Sequence, residues 1–195
     1  MIPKRITVAL TGASGIQYGI EVLQALVESK IETHVILSEW AEYVLQDEVG
    51  GDVMKKIKEI AFHMYDSKEM DAPLSSSSTM IDGMVVIPAT VKTVSNIANA
   101  NTENLISRAA DIMLKMRRPL IIGIRETPLS PPCIHNLHKL ATYGAIILPL
   151  SPGFYHKPQK IQDLFDFITG KVLDCLNIPN EKYKRWKEKN SNKQR

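Results

Sequence analysis

The chain has 195 residues, 44% of them apolar: about one domain's length, with enough apolar matter for one core and too much for a disordered polypeptide. Its longest apolar runs, such as 84–87 and 145–150, fall far short of the roughly 18 residues a membrane-spanning helix needs, and the stretch after Lys4 and Arg5 is too short for a secretory signal, so a cytoplasmic protein is expected. The net charge of +3 belongs to the chain's end, where residues 181–195 hold seven of the 24 Lys and Arg against Glu181 and Glu188; lacking aromatic-basic interleaving, the chain calls for no DNA or RNA partner.

Residues 6–10 are an apolar run that stops at Thr11-Gly12-Ala13-Ser14-Gly15, after which Ile16, Ile20, Leu23, Leu26 and Val27 recur at helical spacing. This is strand, glycine loop, helix. A second strand is expected at 33–37, a helix over 40–46, and another helical face on Val53, Met54, Ile57, Ile60 and Ala61. Then come a strand at 84–87, helical segments from 94 to 116, a strand at 120–124, a helix near 134–143, a strand at 145–150 and a last helix over 161–176. Stretches 71–79 and 125–132 read as loops, the first for Pro73 and the serines 75–78, the second for Pro128, Pro131 and Pro132. Continuously apolar strands alternating with helices imply a parallel sheet covered on both faces, so the expected fold is a single Rossmann-like, flavodoxin-like doubly wound α/β domain over residues 1–186, with a basic C-terminal tail at 187–195. Ligands of such sheets sit beyond the C-terminal strand ends.

Gly12-Ala13-Ser14-Gly15 between a strand and a helix is suited to cradle a phosphate, because glycine permits close approach and a helix N-terminus offers unpaired N–H donors. A purely structural turn is the plainer reading. The glycines at 12, 15 and 19 depart from G-x-G-x-x-G, no Walker lysine is present, and the second strand ends in Ser38 rather than a ribose-binding acid; a mononucleotide fits better than a dinucleotide. Thr90-Val91-Lys92-Thr93 offers a small, polar surface, or ordinary helix capping. Cys133 and Cys175 have neither disulfide nor zinc spacing and read as core residues.

Thr11–Gly15, Ile87-Pro88-Ala89-Thr90, Ile106–Asp111, Arg118-Pro119-Leu120, Arg125-Glu126-Thr127-Pro128 and Pro152-Gly153-Phe154-Tyr155-His156, in this order and closing with Arg185-Trp186, together resemble the UbiX-type flavin prenyltransferases. The resemblance implies transfer of a dimethylallyl group from dimethylallyl phosphate to N5 and C6 of reduced FMN, without a metal, giving the cofactor of UbiD-type decarboxylases. By the same resemblance FMN is held by Gly12, Ala13, Ser14, Ser38, Thr90, Val91, Lys92, Thr93 and Arg125. The prenyl phosphate meets Lys115, Glu126, Tyr155 and Lys171 with Arg108 nearby, Trp186 forms a wall, and Glu48 lies with Ser14 at the flavin edge; Lys115, Glu126, Glu48 and Ser14 are the catalytic candidates. Relatives form dodecamers with sites between subunits, which makes a homo-oligomer the expectation. Two positions depart from the pattern: Lys171 stands where some relatives carry Arg, losing a bidentate phosphate grip, and Lys92 stands where small residues are usual.

The chemistry is consistent with that assignment. Breaking an allylic C–O bond builds negative charge on the leaving phosphate, and fixed cations such as Lys115 and Lys171 with the Tyr155 hydroxyl favour it most in a dry pocket. The chain has no D-D-x-x-D cluster of the kind a magnesium-bound diphosphate uses. Two rivals remain: an FMN-dependent cysteinyl-carboxylate decarboxylase, whose P-x-M-N-x-x-M-W clamp is missing here, and a non-catalytic FMN carrier, which has no use for Lys115, Glu126 or Lys171.

Overall fold

The computed structural model describes residues 3–186; the tail at 187–195 lies outside the described residues. Five expected strands form close to their expected places: β1 (Arg5–Leu10), β2 (Glu32–Leu37), β4 (Gly83–Ala89), β5 (Leu120–Ile124) and β6 (Ile146–Pro149). The sequence reading missed a sixth, β3 (His63–Asp66), a four-residue edge strand whose polar ends and single neighbour leave no apolar run to betray it. All neighbouring pairs are parallel, in the order β3-β2-β1-β4-β5-β6. Without the edge strand, the five expected ones fall in the flavodoxin-like order 2-1-3-4-5.

The helices are α1 (Gln17–Glu28), α2 (Glu39–Glu48), α3 (Val53–Ile60), α4 (Val91–Ala98), α5 (Leu105–Lys115), α6 (Pro131–Thr142) and α7 (Ile161–Cys175). The stretch from 94 to 116 divides into two helices because Asn99 ends α4 and Asn104 caps α5, accepting from the Ser107 N–H at 3.0 Å. Pro131 and Pro132, expected in a loop, open α6 instead: a proline in the first turn has no N–H to leave unpaired, and Ser130 caps the helix. The loop at 71–79 includes a short 3-10 turn at Pro73–Ser75.

Alternation along the strands divides the core. Ile6, Val8 and Leu10 pack with Leu23, Leu26, Ile57 and Ile168 under α1, α3 and α7. Ala9, Met84, Val86 and Ile122 pack with Val94, Ala110 and Leu140 under α4, α5 and α6. Burial on both faces is why the strands are apolar throughout. The chain reverses its direction of winding between β1 and β4, and the loops leaving those two strands part to open a crevice at the C-terminal edge. No helix among the described residues is long and apolar enough to cross a membrane.

Candidate functional site

The crevice begins at Thr11, buried at the end of β1. Its hydroxyl donates to the Pro88 carbonyl at 2.7 Å and accepts the Thr90 N–H at 2.9 Å, clipping the first βα loop to the fourth strand's exit. Gly12 follows because nothing larger fits: a Cβ there would overlap the Cβ of Trp40, at the start of α2. Ser38 caps α2 through the Ala41 N–H at 3.2 Å, and Thr90 caps α4 through the Thr93 N–H at 3.1 Å, with the two threonine hydroxyls 2.9 Å apart. Gly12, Ser38, Trp40, Thr90, Lys92 and Thr93 line a cleft of about 440 Å³, within the size range of cofactor sites.

The N-terminus of α1 is not the open anion site the glycine loop suggested. Glu48, at the end of α2, seats its carboxylate on the Gly15 N–H (2.9 and 3.1 Å) and the Ile16 N–H (3.1 Å). A carboxylate already satisfies those donors and the helix dipole, and it would repel a phosphate. Gly15 takes φ +87°, which turns both amides toward that carboxylate. On the other side Arg125 Nε donates to the Ser14 carbonyl at 3.1 Å. Ser14 therefore lies between a carboxylate and a guanidinium, one from α2 and one from the end of β5.

At the cleft's rim Lys92 lies 3.9 Å from Glu103, and Lys68 lies 3.0 Å from Glu39, whose hydrogen bond holds the Lys68 pKa above the usual lysine value. Trp40, Lys68, Ser67 and Asn104 line the cleft and escaped the sequence reading. Trp40 carried the one available signal: a tryptophan two residues after a capping serine, 69% exposed in the structure.

A second group forms around α7. Tyr155 meets Phe167 (5.8 Å between centroids), Trp186 (5.2 Å) and His156 (5.8 Å), all edge-on. The Lys171 Nζ stands 5.4 Å from the Phe167 centroid and 4.7 Å from that of Tyr183, whose hydroxyl raises the Lys171 pKa against the opposing effect of burial. Tyr155, Lys171 and Trp186 are thus brought together. His156 stacks on Phe167 at 5.2 Å, and both its ring nitrogens are buried without a hydrogen-bond partner among the described residues.

Lys115 is placed elsewhere. It ends α5, which runs against the strands, and borders a groove of about 1050 Å³ with Arg117, Arg118, Pro119, Lys139 and Gly144, at the N-terminal edge of the sheet. Within one chain it is separated from Ser14 by the full length of the strands. Arg108, in the first turn of α5, donates to the Ser75 carbonyl at 3.0 Å and so ties down the serine loop. Glu126 is exposed on the loop after β5 and makes no ion pair with Arg125 among the described residues; burial, joined by the Glu126 charge, raises the pKa of Cys133. Cys133 and Cys175 are both free. No group of three or more His, Cys, Asp or Glu among the described residues is placed to hold a metal ion.

Residues 1–173 match the Flavoprotein family. Over 186 residues the chain is 42% identical to the flavin prenyltransferase UbiX of Saccharolobus solfataricus, covering 94% of this chain and 92% of that one. The chain belongs to the UbiX-type flavin prenyltransferases. Among solved structures of the family, AnUbiX (PadA1) in complex with FMN and dimethylallyl pyrophosphate superimposes with a TM-score of 0.92 at 39% identity, over 95% of this chain and 98% of that one. A dodecameric FMN-dependent UbiX-like decarboxylase from Escherichia coli O157:H7 superimposes with a TM-score of 0.90 at 32% identity, over 94% and 100%.

Proposed function

We infer that this protein is a flavin prenyltransferase that joins the dimethylallyl group of dimethylallyl phosphate to N5 and C6 of reduced FMN, releases phosphate, and supplies the prenylated flavin to a UbiD-type decarboxylase. The observation that carries this reading is the mononucleotide-sized crevice at the β1/β4 switch, in a chain that superimposes at a TM-score of 0.92 on a relative holding FMN and dimethylallyl pyrophosphate. Bound reduced FMN supplies the nucleophilic ring atoms.

The chain's own residues divide the remaining work. Gly12, Ala13 and Ser14, flanked by Glu48 and Arg125, receive the ring end of the flavin, while Ser38 and the capped first turn of α4, Thr90 to Thr93 with Lys92, receive its phosphate end. The occupied α1 terminus supports that polarity, because Glu48 already fills the competing anion site. Glu48, held by two amides, is positioned to accept or return a proton at the ring edge beside Ser14. Lys171 and Tyr155 grip the donor phosphate, whose departure they favour by stabilising the growing negative charge. Glu126 orients that phosphate, Arg108 lies nearby, and Trp186 closes the allyl side, where an aromatic face stabilises positive charge.

Lys115 reaches a flavin only in a neighbouring copy, since it sits at the opposite sheet edge of its own. A homododecamer, as in the relative from Escherichia coli, accommodates this, and the cytoplasm is the expected compartment. The deciding experiment is anaerobic incubation with reduced FMN and dimethylallyl phosphate, with the diphosphate in parallel, followed by mass analysis of the flavin. An added five-carbon unit is expected; unmodified flavin with carbon dioxide released from a cysteinyl peptide would establish the decarboxylase instead, and bound but unchanged flavin the carrier.

A further inference from the structure

The grip on Lys171 is built by a segment with no group in the proposed reaction except Trp186. Helix α7 carries Gly170, Lys171 and Asp174 within one turn, and residues 180–186 return across that face. One carboxylate fastens the returning segment. Asp174 accepts from Asn180 Nδ2 (2.9 Å), from the Tyr183 hydroxyl (2.6 Å) and from both terminal nitrogens of Arg185 (2.8 and 3.0 Å). The Tyr183 ring then rests on Gly170, where a Cβ would overlap it. Glycine inside a helix costs about 1 kcal/mol relative to alanine, so this position keeps the poorer helix former where the ring needs the space.

Lysine has a flexible four-carbon stem, and its ammonium must be immobilised before it can meet a phosphate in one geometry; a guanidinium is planar and better preorganised. Here the Lys171 ammonium lies 4.7 Å from the Tyr183 centroid and 5.4 Å from that of Phe167, and Phe167 in turn touches Tyr155. The same segment ends in Trp186, edge-on to Tyr155 at 5.2 Å. Both arms of the proposed grip therefore lean on one strap.

We propose that Asp174 and Tyr183 are positioning residues for the donor-phosphate grip: Asp174 anchors the 180–186 strap, and Tyr183, seated on Gly170, holds the Lys171 ammonium beside Tyr155, replacing the rigidity an arginine would bring. The proposal rests on the reading of Lys171 as a donor-phosphate ligand. It is tested by donor-saturation kinetics together with flavin affinity measured by fluorescence.

Tyr183→Leu is expected to raise the donor KM roughly 10-fold, the scale of losing a partly desolvated cation–π contact, with FMN affinity unchanged. Tyr183→Phe keeps the ring but loses its 2.6 Å bond to Asp174, so its donor KM should fall between those of wild type and Tyr183→Leu. Gly170→Ala, which improves the helix but unseats the ring, reproduces Tyr183→Leu, and Lys171→Arg in the Tyr183→Leu background restores the donor KM. If Lys171→Ala raises the KM while Tyr183→Leu and Gly170→Ala leave it alone, the positioning role is wrong and the grip stands. If Lys171→Ala itself leaves the donor KM unchanged, both are wrong.

Discussion

At the C-terminal edge of the sheet Gly12, Ser38 and Thr90 line one crevice from three strand ends, whereas at the N-terminal edge Lys115, Arg117, Arg118 and Lys139 border a broad groove. The two differ in what holds their charges. In the crevice Lys68 and Lys92 face carboxylates. In the groove Arg118 is held by the Ile81 carbonyl at 2.7 Å and Lys139 by the Asn99 amide oxygen at 3.0 Å, neutral partners that leave the positive charge in place. Basic side chains with neutral partners thus gather at the edge away from the crevice, which suits the proposed reading in which one copy's groove serves another copy's crevice.

The largest effect that sharpens this contrast is at Lys115. Lys115→Ala is expected to slow prenyl transfer roughly 100-fold, the scale of losing one preorganised electrostatic contact, with FMN affinity unchanged. Co-assembling it with a flavin-blind Gly12→Val chain should recover activity, and mixed oligomers as inactive as their parents would show that Lys115 does not work across copies. Gly12→Ala attacks the crevice instead: the added Cβ would overlap the Trp40 Cβ and press on the Trp40 backbone, so FMN binding should weaken more than about 10-fold and stability fall by about 1–3 kcal/mol, read by titration and denaturant melts.

Two threonines, Thr7 inside β1 and Thr11 just past its end, give a smaller, cleaner test. Thr11→Val strands the Pro88 carbonyl and the Thr90 N–H and should cost about 1–3 kcal/mol. Thr7→Val removes a buried hydroxyl with no hydrogen-bond partner among the described residues, so it should be neutral or stabilising; equal losses at the two sites would break the argument that the clip, not burial, matters.

The smallest effect is on pH. Burial favours the protonated form of Asp174, but hydrogen bonds from Arg185, Tyr183 and Asn180 outweigh it and hold its pKa below the usual carboxylate range. The strap therefore gains stability from this group above about pH 4, the unfolded value, and loses it as the pH falls through the folded one. Amide exchange of residues 180–186 should accelerate only on that acidic side, and Asp174→Asn should abolish the dependence.

Much of the frame was readable in residue order. Alternating β-branched runs and helical spacing located five strands and their helices, because both faces of a parallel sheet demand apolar side chains locally. Strand β3 escaped because an edge position of four residues needs no such run. Pro131 and Pro132 misled because proline breaks a helix interior yet starts one well. The glycine loop correctly marked a crevice, but nothing near it announced that Glu48, 33 residues on, would occupy its amides.

What the sequence by itself determined, then, is the layered parallel sheet, the glycine turn at its switch point and the set of charged residues available, since periodicity and turn chemistry act over a few neighbouring residues. Only the tertiary structure decided which edge each charge reaches and what neutralises it: Lys115 turned away from the crevice because α5 runs against the strands, and Lys171 seated under Tyr183 because one carboxylate draws back residues 180–186. Coulomb and hydrogen-bond partners are chosen by distance in space, and residue order does not encode that distance directly.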